Sequence, residues 1–396
     1  MDIEVETVVP PDNQPTLRIT PVRTPAERER FIRFPWQVYA DNRCWVSPLL
    51  IERRVFFDPA HNPFFQHAEV QLFLACRGNR EVGTIAAFIN HAHNACHNER
   101  VGFFGSFEVL PDSAAAAALL ATAEGWVRNR GMHALRGPIN FASDNECGLL
   151  LDAYDQPPVI MTAYNPPYYR NYVELAGFTK AIDWYAYSLD RETLGGGDPR
   201  ELRPRVLRML DTARKRSGVQ FRNVQLRAFA AELQRVRHVY NQAWEQNWGF
   251  VPMSAAEIDY LAAGLKPFID PDLIIIAEAA GQPVGVSITL PDLNQPLRHM
   301  QGRLFPTGWW YLLRRRHWMD TVRFFAMGVV PEYRRRGVEA VFYYETFRNA
   351  VKKGYRRAEL SLIVETNTQI RRSVAAFGAQ IYKTYRVYEK RLTGPE

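Results

Sequence analysis

The stretch from Val322 to Tyr344, V-R-F-F-A-M-G-V-V-P-E-Y-R-R-R-G-V-E-A-V-F-Y-Y, leaves the backbone little choice. Phe324 to Val330 is an apolar run of strand length, Pro331 ends it, Arg334 to Gly337 make a basic turn, and from Val338 the apolar positions recur with helical spacing. A strand that feeds a helix N-terminus brings free backbone N–H groups and the positive end of the helix dipole to one point, where a phosphate fits. Gly337 lacks a Cβ, so the chain there can close on a pyrophosphate. The same residues also describe an ordinary strand–helix unit with a solvated basic turn.

The order of elements repeats along the chain. Val101 to Leu110 is again a strand, Pro111-Asp112-Ser113 again a break, and Ala114 to Asn129 again a helix, but the basic glycine turn is missing. Before it, the pattern predicts a strand over Leu17–Val22, a helix over Pro25–Tyr39, a packed irregular segment over Asn42–His67, and strands over Val70–Cys76 and Val82–Ile89. Ala181–Leu189 alternates as a closing strand. The second half gives a strand at Val219–Val224, helices over Ala228–Asn247 and Ala255–Phe268, and strands at Leu273–Ala279 and Val284–Leu290. After the central stretch come a strand to Glu365, a helix over Thr366–Phe377 and a closing strand over Gln380–Leu392. The best linker is T-L-G-G-G-D-P at Thr193–Pro199, and Arg200–Arg216 is a basic docking helix. The expected organisation is a flexible arm over 1–16, a first domain over 17–190, a linker over 191–199 and a second domain over 200–396.

Composition narrows the class without naming a substrate. With 396 residues, 47% of them hydrophobic and 13% aromatic, the chain builds sizeable cores and is neither disordered nor fibrous. A net charge of +7 favours an acidic partner: CoA, acyl carrier protein, RNA or anionic lipid. Cys44, Cys76, Cys96 and Cys147 lie far apart and fit neither a disulfide scaffold nor a zinc ribbon, so a cytoplasmic setting is expected. His91, His93, Cys96 and His97 read as a polar hairpin loop with no distant fourth ligand, and no metal is expected. No apolar run reaches the length of a membrane span. The insertion Leu297–Asp320, rich in Trp and Arg, admits two readings: a lid over an apolar pocket, or an amphipathic piece that touches a membrane.

The residues V-x-P-E-Y-R-R-R-G-V resemble the acyl-CoA signature of the GCN5-related N-acetyltransferase (GNAT) superfamily. Arg334 and Gly337 fall on its first two fixed positions, and Glu339 stands where Gly or Ala is expected. Asn165, Tyr172, Gly177 and Phe178 resemble the family's last helix and Gly-Phe turn, and Val364, Asn367 and Gly378 resemble the same motif in the second half. The resemblance implies an α/β fold of two tandem GNAT-like domains, each a mixed, mostly antiparallel twisted sheet flanked by helices, the first degenerate. It implies an N-acyltransferase that moves an acetyl or longer acyl group from acetyl-CoA or another acyl-CoA, or from acyl carrier protein, to a small-molecule amine.

Carried onto this chain, the family pattern puts the backbone of Met327, Gly328 and Val329 along the pantetheine. Arg334, Arg335, Arg336, Gly337 and Val338 then lie at the pyrophosphate, with Asn367 alongside. Tyr240, Asn241, Trp248 and Phe250 fall where such domains take the acceptor. Glu245, Asp292 and Glu365 are candidate bases, each also readable as a surface or capping residue. The family's general-acid tyrosine would fall at Val374, so that role is vacant or has moved. Two other readings stay open: a non-catalytic acyl-CoA-binding scaffold, suggested by Val374 and Glu339, and a nucleic-acid binder, which rests on charge alone.

Overall fold

A computed structural model describes residues 15–142, 146–194, 218–245 and 247–392, with 208, 211–212 and 214–215. Most of the expected arm, of the linker and of the basic helix lies outside these residues. The chain forms two compact units: Met1–Asp183 with Met300–Pro306 and Thr384–Glu396, and Trp184–His299 with Thr307–Lys383.

The first unit is a sheet of β1 (Leu17–Pro21), β2 (Ala68–Arg77), β3 (Arg80–Asn90), β4 (Val101–Val109) and β5 (Ala134–Gly137), in that order. The short β6 (Leu149–Leu150) and the start of β7 (Thr179–Asp190) belong to the same unit. The pairs are antiparallel except β4 with β5, which is parallel. A helix over Ser113–Arg128 packs Ala115, Leu119, Ala123 and Val127 onto this sheet. Gly102 lies under it because a Cβ there would stand 2.4 Å from Val127.

The second unit orders β8 (Gln220–Asn223), β9 (Ile274–Ala279), β10 (Gln282–Pro291), β11 (Thr321–Val329) and β12 (Arg357–Val364), with residues 184–190 of β7 beside β12. β11 and β12 run parallel; the remaining pairs are antiparallel. One face carries the helices Phe229–Ala243 and Ala255–Leu265, the second opened by a capping box of Ser254 and Glu257. The other carries Val338–Lys352, which buries Val338, Val341 and Phe342, and Thr368–Ala376.

Three expectations need correction. Pro25–Tyr39 is two helices, Pro25–Arg33 and Pro35–Val38, because Pro35 has no N–H with which to continue the first. His91–His97 is a helix, not a hairpin loop: Asn90 caps it by accepting from the His93 N–H at 3.0 Å. His93 is buried beside Glu99, and burial lowers its imidazole to about 4. The last strand, β13 (Gln380–Arg391), does not close the second sheet alone: from Thr384 onward it is part of the first unit, where Tyr388–Arg391 pair with β5 and Tyr385–Arg386 with β6.

Candidate active site

β10 keeps its pairing with β11 as far as Gly285 opposite Val329, but β12 pairs with β11 only from Thr321–Arg357 to Phe324–Leu360. Beyond Phe324 the parallel strands part. The edge of β11 from Phe325 to Val329 then faces a notch with no paired strand on that side, and a strand edge offers donors and acceptors to an extended ligand. Phe325 sits in a bulge, where Phe324 and Ala326 oppose the adjacent Thr289 and Ile288.

At the top of β11 the chain turns through Pro331–Tyr333 into the helix Val338–Lys352. Arg335 (φ 62°) and Gly337 (φ 86°) are left-handed, and no side chain caps the helix at Gly337. Such a turn aims successive N–H groups inward as an anion nest. Arg334 does not point into it: its Nε donates to the Val329 carbonyl at 3.2 Å and its Nη2 to the Ala243 carbonyl at 2.8 Å, which locks the turn to the strand and the neighbouring helix end. Arg336 lies over the Tyr333 ring at 4.6 Å, and Arg335 is exposed.

Gly328 is required for packing as well, since a Cβ there would stand 2.3 Å from the Trp244 ring. Trp244 stacks on Tyr240 at 4.7 Å, and Tyr240 meets Phe250 at 5.5 Å. Asn241 accepts from the Met253 N–H at 3.2 Å and donates to the Met253 carbonyl at 3.3 Å, so its amide fixes the loop. Trp248 packs on Trp184 at 6.2 Å, and Trp184, buried to 8% exposure, has an indole N–H without a hydrogen-bond partner among the described residues.

A groove partly open to solvent runs between the helices Phe229–Ala243 and Ala255–Leu265 and the sheet. Its walls are Leu233, Val236, Tyr240, Ile258, Leu261, Leu265, Ile288 and Leu290, and Phe325 and Ala326, at the parting of β11 and β12, line it too. Along the first helix it extends from Phe229 to Tyr240, about 16 Å at the α-helical rise.

The proposed carboxylates are scattered. Glu245 is exposed beyond the helix end. Asp292 is buried at the start of β11, where its N–H bonds the Thr321 carbonyl and its carboxylate accepts from the Asn294 N–H, at the opposite end of the strand from Gly337. Glu365 follows β12, and its carbonyl accepts from Arg371. Asn367 caps the helix Thr368–Ala376 through the Ile370 N–H, and Val374 is core, packed with Tyr187, Tyr343 and Leu360. Sequence reasoning missed a buried polar group beside Phe325. Arg323, 5.2 Å from the Phe325 ring, donates to Ser361, while Ser361 and Tyr382 both donate to Glu359. Glu359 and Arg323 stand opposite one another on β12 and β11, a juxtaposition that strand alternation alone does not reveal.

The corresponding notch in the first unit is filled by the chain itself. β4 and β5 part after Phe103–Arg136, but the Ile139 N–H donates to the Phe104 carbonyl at 2.8 Å and Asn140 accepts from the Ser106 N–H at 2.7 Å. Gly105 is so close that a Cβ would lie 2.0 Å from the Ile139 oxygen. At the following helix the Asp112 carboxylate accepts from the Ala115 N–H and pairs with Arg77, whose guanidinium holds it below the usual carboxylate range.

Over 95% of this chain and 98% of its counterpart, the sequence is 38% identical to the protein named bacterial ceramide synthase of Caulobacter vibrioides. The protein YghO of Escherichia coli is 34% identical over 91% of this chain and 92% of its own length. The chain belongs to the family of these two proteins. No family model matches the chain. The fold seen here is that of tandem GNAT proteins. A tandem GNAT protein from the clavulanic acid pathway superposes with a TM-score of 0.56 over 96% of this chain and all of its own, at 11% identity. A probable N-acyltransferase of Enterococcus faecalis gives 0.53 over 95% of this chain and 73% of its own, at 10% identity.

Proposed function

We propose that the chain is an N-acyltransferase that transfers a long-chain acyl group from a thioester to the amino group of a long-chain amino alcohol, giving a ceramide-type amide. The observation that carries this reading is the apolar pocket lined by Phe325 and Ala326, where the open edge of β11 begins. An acetyl group would leave such a pocket empty. Kinship over the whole chain with a protein named ceramide synthase supports the same substrate class.

The residues present fit a nucleotide thioester. The uncapped nest from Arg335 to Val338 receives the pyrophosphate, and the edge of β11 down to Phe325, about 13 Å at strand rise, runs beside the pantetheine. The thioester carbonyl then lies at the bulge, with a hydrocarbon chain in the pocket. The neutral amine attacks this carbonyl, a C–N bond forms, the C–S bond breaks, and the amine's proton leaves as the thiol takes one up. Holding both reactants in one water-poor notch is the main contribution of the protein. We assign proton handling to Glu359, Ser361 and Tyr382, because they are hydrogen-bonded to one another and, through Ser361, to Arg323, which lies against Phe325. Trp184 and Trp248 flank the polar head of the acceptor. The first unit takes no nucleotide, and the setting is the cytoplasm. A carrier-protein donor, acyl carrier protein included, would use the same β11 edge without the nest.

A second reading, an acyl-CoA-binding scaffold without turnover, draws on Val374, which stands where a GNAT enzyme has its acid. Incubation of the purified chain with palmitoyl-CoA or palmitoyl-acyl carrier protein and sphinganine separates the two. Thiol release matched by N-acyl product supports the transferase, and acetyl-CoA should be a poor donor. Tight palmitoyl-CoA binding with no amide across a panel of long-chain amines would establish the scaffold.

A further inference from the structure

From Leu293 to Met319 the chain carries five arginines, Arg298, Arg303, Arg314, Arg315 and Arg316, and no acidic residue. Within it a short helix over Gly308–Leu313 presents Trp309 at 44% exposure, Trp310 at 43% and Leu313 at 67%, and Trp318 follows at 43%. Burial in the protein would be the ordinary fate of such side chains. The inner side of the segment is packed: His299 stacks on Tyr311 at 5.4 Å and meets Trp318 at 4.6 Å. The outward display is therefore held in place. Arg314 lies over the Trp310 ring at 4.1 Å, so cation and aromatic surface share one face.

The segment is anchored beside the apolar pocket. Arg315 donates to the Pro267 carbonyl at 3.3 Å and lies over the Phe268 ring, between the pocket-lining Leu265 and Ile269. We propose that this face, Trp309, Trp310, Leu313 and Trp318 with Arg314 and Arg316, docks on an anionic phospholipid bilayer and brings the pocket to the membrane surface. Amphipathic aromatic rings and arginines on one face match the headgroup boundary of such a bilayer, and an uninterrupted positive sign matches its surface charge. A shallow attachment of this kind needs no spanning helix, and among the described residues no helix is long and apolar enough to cross a membrane.

Co-sedimentation of the full chain with vesicles tests the surface independently of the proposed reaction. Vesicles of phosphatidylcholine with 30 mol% phosphatidylglycerol should bind the chain at least tenfold better than phosphatidylcholine alone, and 0.5 M salt should release it. Trp309→Ser with Trp310→Ser should weaken binding at least tenfold, as should Arg314→Glu with Arg316→Glu, while both variants keep the parent's circular dichroism and melting temperature. No preference for anionic vesicles, or equal binding by both variants, would overturn the proposal. So would a sedimentation result in which the parent is a dimer and the tryptophan variant a monomer, because the face would then be covered by a second copy. If vesicle binding holds and no amide is made, the surface stands and the proposed reaction falls.

Discussion

Arg77 grips the carboxylate of Asp112 through two hydrogen bonds, Nε at 2.6 Å and Nη2 at 3.0 Å, and so fills with the protein's own anion the helix start where a phosphate would otherwise sit. At Gly337, the start of the helix Val338–Lys352, no side chain caps the first turn, and its one carboxylate, Glu339, does not fill the nest. This contrast predicts one nucleotide per chain. Calorimetric titration of CoA should give a stoichiometry near one; Gly337→Leu should raise the donor KM at least tenfold, whereas Asp112→Asn should leave it unchanged. A stoichiometry of two refutes the assignment.

Arg334 is predicted to act on the nest through position rather than charge. Arg334→Ala removes donors from two carbonyls and should cost about 1.5–3 kcal/mol of stability, read by urea unfolding. Arg334→Lys should fail to restore it, since one ammonium cannot reproduce the fork that spans Val329 and Ala243.

Tyr382→Phe deletes the phenol that donates to Glu359. It should lower kcat by about 10²-fold with the KM for either substrate within threefold. Equal loss in KM would assign the tyrosine to packing. Val374→Tyr, by contrast, should not install a working acid: the site is buried to 1% exposure, and overpacking should cost about 1–3 kcal/mol.

Glu108 gives a pH test in the first unit. Burial raises its carboxyl from 4.5 to about 8, with the Tyr39 and Tyr169 hydroxyls at 2.8 and 2.7 Å. A folded pKa above the unfolded one means that the stabilisation is fully present below pH 4.5 and is lost as the pH rises through about 8. Stability should therefore fall across that window by on the order of a few kcal/mol, seen as a falling melting temperature. Glu108→Gln should flatten the fall and make the variant the more stable form at pH 9; parallel curves would refute a neutral Glu108.

Local periodicity made the stretch from Val322 to Tyr344 legible, since strand, break, turn and helix each leave a mark within a few residues. Tyr240 and Phe250, singled out at one helix end, do meet, whereas Trp248 packs on Trp184. What periodicity could not show depends on distant or backbone partners. The inward turn of Arg334 is set by a carbonyl 91 residues away, and Glu359 gains its meaning from Arg323 and Tyr382 on other strands. His93 read as a loop residue because its cap, Asn90, and its partner, Glu99, are ordinary polar residues in the sequence.

The last strand carries a consequence for how the protein is made. Tyr385, Val387 and Tyr388, all nearly inaccessible, complete a sheet whose other strands leave the ribosome some two hundred residues earlier. The first unit must wait, with an open edge at Ala134–Gly137, until synthesis is almost over. Cutting the gene between the halves would not yield two independent modules but a first sheet without its last strand and a second sheet trailing a strand that belongs to the first. A stop codon that removes only the final dozen residues should thus send the amino-terminal half, not the carboxy-terminal one, to the proteases first.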